Sequence, residues 1–345
     1  MNNLVVLKFG GSSMGDAITA RDNLPNVIKI IKQQQKQYKN VIVVCSAFAG
    51  ETRRLDSIAA RLNFNDKERD NTLAQGEIFS SYVLGNFLSS RNINNVVMNG
   101  DNLPVKTSGQ YGKSNIESID VKYINSELEK NNVVIVPGFI GKNSSNNLTT
   151  IGFDGSDTSA ITIADWMKAD KVCLFKDVDG IYSANPKKTP AQKHNSISAD
   201  DMYYYSLLGA RIVHPNAVKV ALKSNFAIHI MPTFSNGEGS IISNNVEDKD
   251  IVGVTYFENH KGDLALSVVG KAVKNTEDNL FNKLRENNID VVVDKEQKSK
   301  KAISFILNNK DSLDSAIKIA HSFYNLKENS AIKPLNQIYY DPSRK

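Results

Sequence analysis

The strongest constraint on this chain is a set of unbroken apolar runs, each stopped by small or turn-forming residues. Leu4-Val5-Val6-Leu7 runs into Lys8-Phe9-Gly10-Gly11-Ser12-Ser13, and Val41-Ile42-Val43-Val44-Cys45 into Ser46-Ala47-Phe48-Ala49-Gly50-Glu51-Thr52. Val133-Val134-Ile135-Val136 closes on Pro137-Gly138, and Val172-Cys173-Leu174-Phe175 on Lys176-Asp177-Val178-Asp179-Gly180. An apolar run without polar alternation is a strand covered on both faces, as in a parallel sheet flanked by helices. Between the runs lie helical segments: 21–35, with apolar residues at Leu24, Val27, Ile28 and Ile31, then 72–88, a stretch through Met167, and 216–223. Alternation of strand and helix up to about residue 235 predicts an α/β layer fold with a mostly parallel sheet.

In such sheets ligands gather at the carboxyl ends of the strands. Lys8, Ser46, Gly155-Ser156-Asp157 and the segment from Lys176 to Asp179 all fall there. Adjacent glycines let the backbone come close to a ligand, and their N–H groups with a nearby lysine make a nest for phosphate oxygens. The spacing is not that of a P-loop, which needs Gly, four residues and then Gly-Lys-Ser/Thr. Each segment alone has an ordinary explanation as a turn or a helix cap. Their convergence on one sheet edge favours a phosphate cradle.

With 41% apolar and 23% charged residues, the 345-residue chain is of ordinary globular composition and long enough for two or three domains. A net charge of +5 without a basic block gives no reason to expect nucleic acid as a partner. No apolar run approaches the roughly 20 residues of a membrane span, and no secretory signal is visible, so the expectation is a cytoplasmic protein with no membrane partner. Cys45 and Cys173 lie in or at apolar runs and read as buried free thiols, and the five histidines show no ligand spacing.

The segment 99–115 is polar and reads as a loop or small hairpin, and 236–250 reads as a linker. Beyond it come a strand at 264–269, a helix at 276–287, strands at 289–293 and 302–307, and a helix at 312–326. This β-α-β-β-α order suits a small ferredoxin-like α+β module. The last fifteen residues either add an edge strand or stay loose.

Residues 1 to about 235 resemble the amino-acid kinase family, and within it the aspartokinases. The matching segments are Lys8-Phe9-Gly10-Gly11-Ser12-Ser13, the stretch from Ser46 to Thr52, Gly76-Glu77, Pro137-Gly138-Phe139-Ile140-Gly141, Gly155-Ser156-Asp157-Thr158, Asp177-Val178-Asp179-Gly180-Ile181-Tyr182 and Gly209-Ala210-Arg211-Ile212-Val213-His214-Pro215. The tail resembles an ACT domain, an amino-acid-sensing module. The resemblance implies a three-layer αβα catalytic domain over 1–240 and an ACT-like domain over 250–345. It implies phosphorylation of the β-carboxylate of L-aspartate by ATP with Mg²⁺, giving 4-aspartyl phosphate on the route to lysine or diaminopimelate, threonine and methionine. Lys8 would meet the transferring phosphates, with Phe9, Gly10 and Gly11 beside them and Asp157 as the second catalytic residue. Ser46, Thr52, Glu77, Ser156 and Asp157 would hold aspartate. Lys176, Asp177, Tyr182, Lys187, Arg211 and Ile212 would line the nucleotide pocket. ACT modules commonly pair, so a homodimer through the tail is expected.

The chain departs from that pattern in three places. Phe153-Asp154 stands where family members carry Arg-Gly before Gly-Ser-Asp, the arginine gripping the substrate carboxylate. Either another cation replaces it, with Lys113 and Lys106 as candidates, or the acceptor is a different carboxylate such as glutamate. The 99–115 segment lacks the usual basic substrate-loop pattern, and Gly270-Lys271-Ala272-Val273-Lys274 replaces the glycine-bearing effector turn. A catalytically weak, amino-acid-sensing partner is the reading from outside the enzyme class.

Overall fold

The computed structural model describes residues 3–326 apart from Ala17, Phe153, Asp154, Asn225 and Lys298, so the Phe153-Asp154 departure and the last fifteen residues lie outside the described part. The chain forms two compact units: residues 1–181 with 194–250, and residues 182–193 with 251–345.

The first unit is built on an eight-stranded sheet. Its order is Ser196–Ser198, Ser240–Ser243, Ile228–Pro232, Lys171–Lys176, Leu4–Phe9, Asn40–Cys45, Val133–Pro137 and Asn95–Val97. Ser240–Ser243 runs antiparallel to Ile228–Pro232; the pairings around the centre are parallel. This is the expected α/β architecture with a mostly parallel sheet. The first strand sits between the second strand of the chain and the later Lys171–Lys176 strand, so the order of winding reverses there. A crevice at the carboxyl ends of the strands is the geometric consequence.

Pleating decides which side chains face it. Val5, Leu7 and Phe9 join Val41, Val43, Cys45, Cys173 and Phe175 in one core, packed against Leu24, Val27, Ile28 and Ile31 of the Ala20–Gln35 helix and Leu84 and Leu88 of the Asp66–Ser89 helix. Alternate residues point to opposite faces. Lys8, paired with Val44 and Leu174, therefore projects to the other face, where the Gly155–Met167 helix packs against the first strand.

The 99–115 segment contains one arm of a hairpin, Val105–Ser108 with Asn115–Ile119, as one of its two readings had it. That hairpin belongs to a second, four-stranded sheet with Ile140–Lys142 and Leu148–Thr150. The expected linker at 236–250 is corrected in part, since Ser240–Ser243 within it is a strand of the main sheet. Its two isoleucines, Ile241 and Ile242, stand between serines and polar flanks and carry too little apolar signal to announce a strand.

In the second unit an antiparallel sheet runs in the order Gly253–Glu258, Leu264–Val269, Ala302–Leu307, Val291–Val293, with helices Glu277–Glu286 and Leu313–Phe323. That is the ferredoxin-like order, with the sequence-missed strand Gly253–Glu258 taking the outer place. The 182–193 ribbon, which the sequence places in the larger domain, is counted with this unit. Ala184 and Ala191 enter its core, the Val254 N–H donates to Ser183 O at 2.7 Å, and Ser183 Oγ lies 2.9 Å from His321 Nε2.

Candidate active site

At the carboxyl edge of the large sheet the Lys8 ammonium lies 2.7 Å from Asp157 Oδ1, and Lys176 Nζ donates to Asp157 Oδ2 at 2.7 Å. The side chains are 7%, 17% and 4% exposed for Lys8, Lys176 and Asp157, so one carboxylate is gripped by two ammonium groups away from bulk water. The geometry follows from the register. Lys8 pairs with Leu174, and Lys176 is two residues further along that strand, so both lysines leave the sheet on the same face. Asp157 comes from the first turn of the covering helix.

That helix is docked tightly. A Cβ on Gly138, just past the Val133–Pro137 strand, would sit 2.7 Å from Ser156 Cβ, a distance real side chains do not tolerate. Next to it, the Phe139 N–H donates to Ser159 Oγ at 3.0 Å. The Pro-Gly-Phe sequence thus lets the strand end touch the helix start.

Burial alone would push the Asp157 carboxyl up, but Lys176 and Lys8 outweigh it and bring it down to about 2. It is ionised throughout the physiological range and is no general base. Glu77 is the reverse case: burial pushes its carboxyl up to about 8, against a backbone hydrogen bond from Ala47 and the positive charge of Lys8. It holds its proton at neutral pH, and its Oε2 is buried without a hydrogen-bond partner. An orphaned carboxyl atom beside a lysine is a place for a polar ligand group.

The other expected site residues fall as follows. Gly10 and Gly11 open the short helix Gly11–Met14, and a Cβ on Gly10 would stand 3.4 Å from Lys8 Nζ, so the ammonium lies over this turn. Ser13 Oγ donates to Phe175 O at 3.2 Å and lies 2.6 Å from Thr233 Oγ1, which fastens that helix to two neighbouring strand ends. The Phe9 ring stacks on Phe175 in the core at 4.9 Å, leaving only its backbone for a ligand. Ser46 is half-buried at the end of the second strand, and its carbonyl accepts from Ser80 Oγ at 2.7 Å. Thr52 is half-buried in the first turn of the Glu51–Arg61 helix, and Ser156 is buried beside Asp157. Asp177 is exposed just beyond Lys176. Arg211 and Ile212 occupy the turn before the Pro215–Lys223 helix, with Arg211 exposed. Tyr182 and Lys187 belong to the second unit. Both cysteines are free and buried, with burial raising the Cys45 thiol to about 12 and Cys173 to about 11.

Sequence reasoning missed Asp70. It lies among the mixed charges that begin the Asp66–Ser89 helix, where an acidic residue looks like solvated surface, yet it is fully buried.

Residues 3–232 match the Amino acid kinase family. An aspartokinase of Rickettsia felis is 31% identical over 89% of this chain and 77% of its own length. The chain belongs to the amino acid kinase family, in its aspartokinase branch. An aspartokinase of Rickettsia bellii is 33% identical over 74% of this chain, and the match spans 64% of that relative, a little under two thirds of its length. Among solved structures, E. coli aspartokinase III in complex with aspartate and ADP has the same fold, with a TM-score of 0.76, 16% identity and coverage of 92% of this chain and 99% of that one. Aspartate kinase from Synechocystis is 26% identical with a TM-score of 0.61, covering 94% of this chain and 56% of that one.

Proposed function

We propose that the chain is an aspartokinase that transfers the γ-phosphoryl group of ATP to the β-carboxylate of L-aspartate, the step that opens lysine, threonine and methionine synthesis. The observation that carries this reading is the buried Lys8–Asp157–Lys176 cluster at the switch point of the sheet. The names of its relatives, aspartokinases at 31% and 33% identity, support the choice of acceptor.

The chemistry needs little beyond what the cluster supplies. A carboxylate with a pKa near ~4 is already ionised at neutral pH, so the nucleophile requires no base. The difficulty is bringing two anions together in line, and positioned positive charge solves it. Lys8, fixed by Asp157, follows the charge on the transferring group, and Lys176 stands on the nucleotide side with Asp177, Arg211 and Ile212. Ser46, Thr52, Ser156 and the orphaned carboxyl of Glu77 face the acceptor. A substrate ammonium beside Glu77 would favour its ionised form and make an ion pair with it. Mg²⁺ keeps most of its ligand positions for phosphate oxygens and water. A lone carboxylate between two lysines fits a metal that arrives on the nucleotide and neutralises its phosphates, rather than one held in a protein cage.

The test is ADP release by purified protein with ATP and Mg²⁺ across an acceptor panel. Aspartate-dependent turnover is expected, with glutamate at least about tenfold poorer because its carboxylate lies one methylene too far. Turnover with glutamate alone would replace the acceptor, and none with any acid would leave a sensing role. Use of ATP and two free thiols support a cytoplasmic setting. No described helix is long and apolar enough to cross a membrane. The Val291–Val293 edge strand, with Val292 51% exposed, supports a homodimer through the ACT-like unit. Light scattering should give twice the chain mass, and a monomer would refute the pairing.

A further inference from the structure

Two buried hydroxyls, Ser13 and Thr233, meet at the carboxyl end of the Lys171–Lys176 strand. That strand lies between Leu4–Phe9 and Ile228–Pro232, and its register with the first of these runs out at Phe9 opposite Phe175. At this point Ser13 Oγ donates to Phe175 O at 3.2 Å. On the other side the Thr233 N–H donates to Lys176 O at 2.8 Å, one residue past the last pair of that ladder, Pro232 with Lys176. The two hydroxyl oxygens lie 2.6 Å apart. A serine hydroxyl has one proton, and Ser13 gives it to Phe175 O, so Thr233 Oγ1 is the donor between them. Ser13 follows the first strand and Thr233 follows Ile228–Pro232, so the pair links the two neighbours of the Lys171–Lys176 strand at its end. Met14, next to Ser13, is fixed in the core of the sheet. The main chain of Phe175 and Lys176 is thus gripped from both sides by hydrogen bonds outside the regular ladder.

Lys176 is the residue that this grip places. Its Nζ donates to Asp157 Oδ2 at 2.7 Å, and an ammonium carries three N–H donors, so it can hold Asp157 and meet a phosphate oxygen as well. Lys176 is the last residue of its strand, so its ammonium moves with the strand end. A displacement of about 1 Å is enough to forfeit much of such a group's effect. Both hydroxyls are buried and answer each other and a main-chain carbonyl, which suits a brace and not a ligand contact. We infer that Ser13 and Thr233 form a hydroxyl clasp that positions Lys176 for the phosphates of ATP. This rests on the proposed reading, of which it needs only the ATP site.

Thr233→Val keeps the shape of the side chain and removes the hydroxyl. Ser13 keeps Phe175 O as its acceptor, so the fold should survive, which circular dichroism checks. The dissociation constant for ATP with Mg²⁺, measured by calorimetry, should rise about fivefold or more, part of the value of one charge-assisted hydrogen bond. Turnover with aspartate should fall as well, while the KM for aspartate stays within about twofold, because the acceptor residues stand on other elements. Thr233→Ser keeps the hydroxyl and should restore most of the loss. Ser13→Ala should act in the same direction and add little to Thr233→Val, because both act through one contact. The sharpest comparison is made in Lys176→Met, where Asp157 still has Lys8. There Thr233→Val should change ATP affinity by less than about twofold, whereas a brace with no link to Lys176 would cost the same in both backgrounds. Unchanged ATP affinity in folded Thr233→Val protein, or an equal loss with and without Lys176, overturns the clasp. Wild-type protein that binds ATP but ignores aspartate defeats the aspartokinase reading alone, since the affinity comparison uses no acceptor. Wild-type protein with no affinity for ATP defeats both.

Discussion

Replacing Lys8 with methionine is expected to lower kcat by about 10³-fold or more, roughly 4 kcal/mol of lost transition-state stabilisation. The side chain is nearly isosteric, and Asp157 keeps its 2.7 Å hydrogen bond from Lys176, so the fold should survive. The affinity for aspartate should change far less than the turnover, because the charge that Lys8 answers develops on the transferring phosphoryl group. The checks are steady-state kinetics beside circular dichroism. A well-folded Lys8→Met protein with wild-type turnover would remove Lys8 from the chemistry.

Asp157→Asn is expected to damage stability and activity together. The two ammonium groups on its oxygens would then face each other across a neutral amide, in a site where their side chains are 7% and 17% exposed. Removing one partner of a buried ion pair costs about 3–5 kcal/mol, and the low end applies here because Lys176 can swing toward water. Activity should fall by about 10²-fold or more, since Lys8 loses its anchor. The pH dependence carries the same sign. The folded-state pKa of Asp157, about 2, lies below its ordinary 3.8, so its stabilising contribution, about 2 kcal/mol, is present above pH ~4 and lost as the pH falls toward 2. Acid titrations of wild type and variant should converge at low pH. Equal stability at neutral pH would mean that the two lysines do not need this carboxylate.

The framework was legible because its signal is local. Unbroken apolar runs such as Val41-Ile42-Val43-Val44-Cys45 can hardly be anything but inner strands, and the residues just beyond them reach a common edge in any parallel sheet. Lys8, Asp157 and Lys176 could therefore be nominated singly. That two lysines grip one carboxylate could not be read, because it depends on strand order: Lys171–Lys176 lies beside Leu4–Phe9 despite the long chain between them. Asp70 was invisible for a related reason. In a helix start reading Asp66-Lys67-Glu68-Arg69-Asp70, only tertiary packing distinguishes the buried acid from the solvated ones. The Gly253–Glu258 strand escaped because its outer half, Tyr256 to Glu258, is less buried and breaks the apolar run. The 182–193 ribbon falls inside the stretch of strand–helix alternation that reads as one domain, and it is its packing, through Ala184 and Ala191 with Tyr182 against their cluster, that assigns it to the other core.

Hydroxylamine trapping tests most directly whether the lysine-lined edge delivers phosphate to an already ionised carboxylate. With ATP, Mg²⁺, aspartate and hydroxylamine, an acyl phosphate is captured as aspartyl β-hydroxamate. Purified wild-type protein should form about one hydroxamate per ADP, and Lys8→Met almost none. ADP released without hydroxamate, or hydroxamate formed equally well without Lys8, would contradict the assignment of this site to phosphoryl transfer onto aspartate.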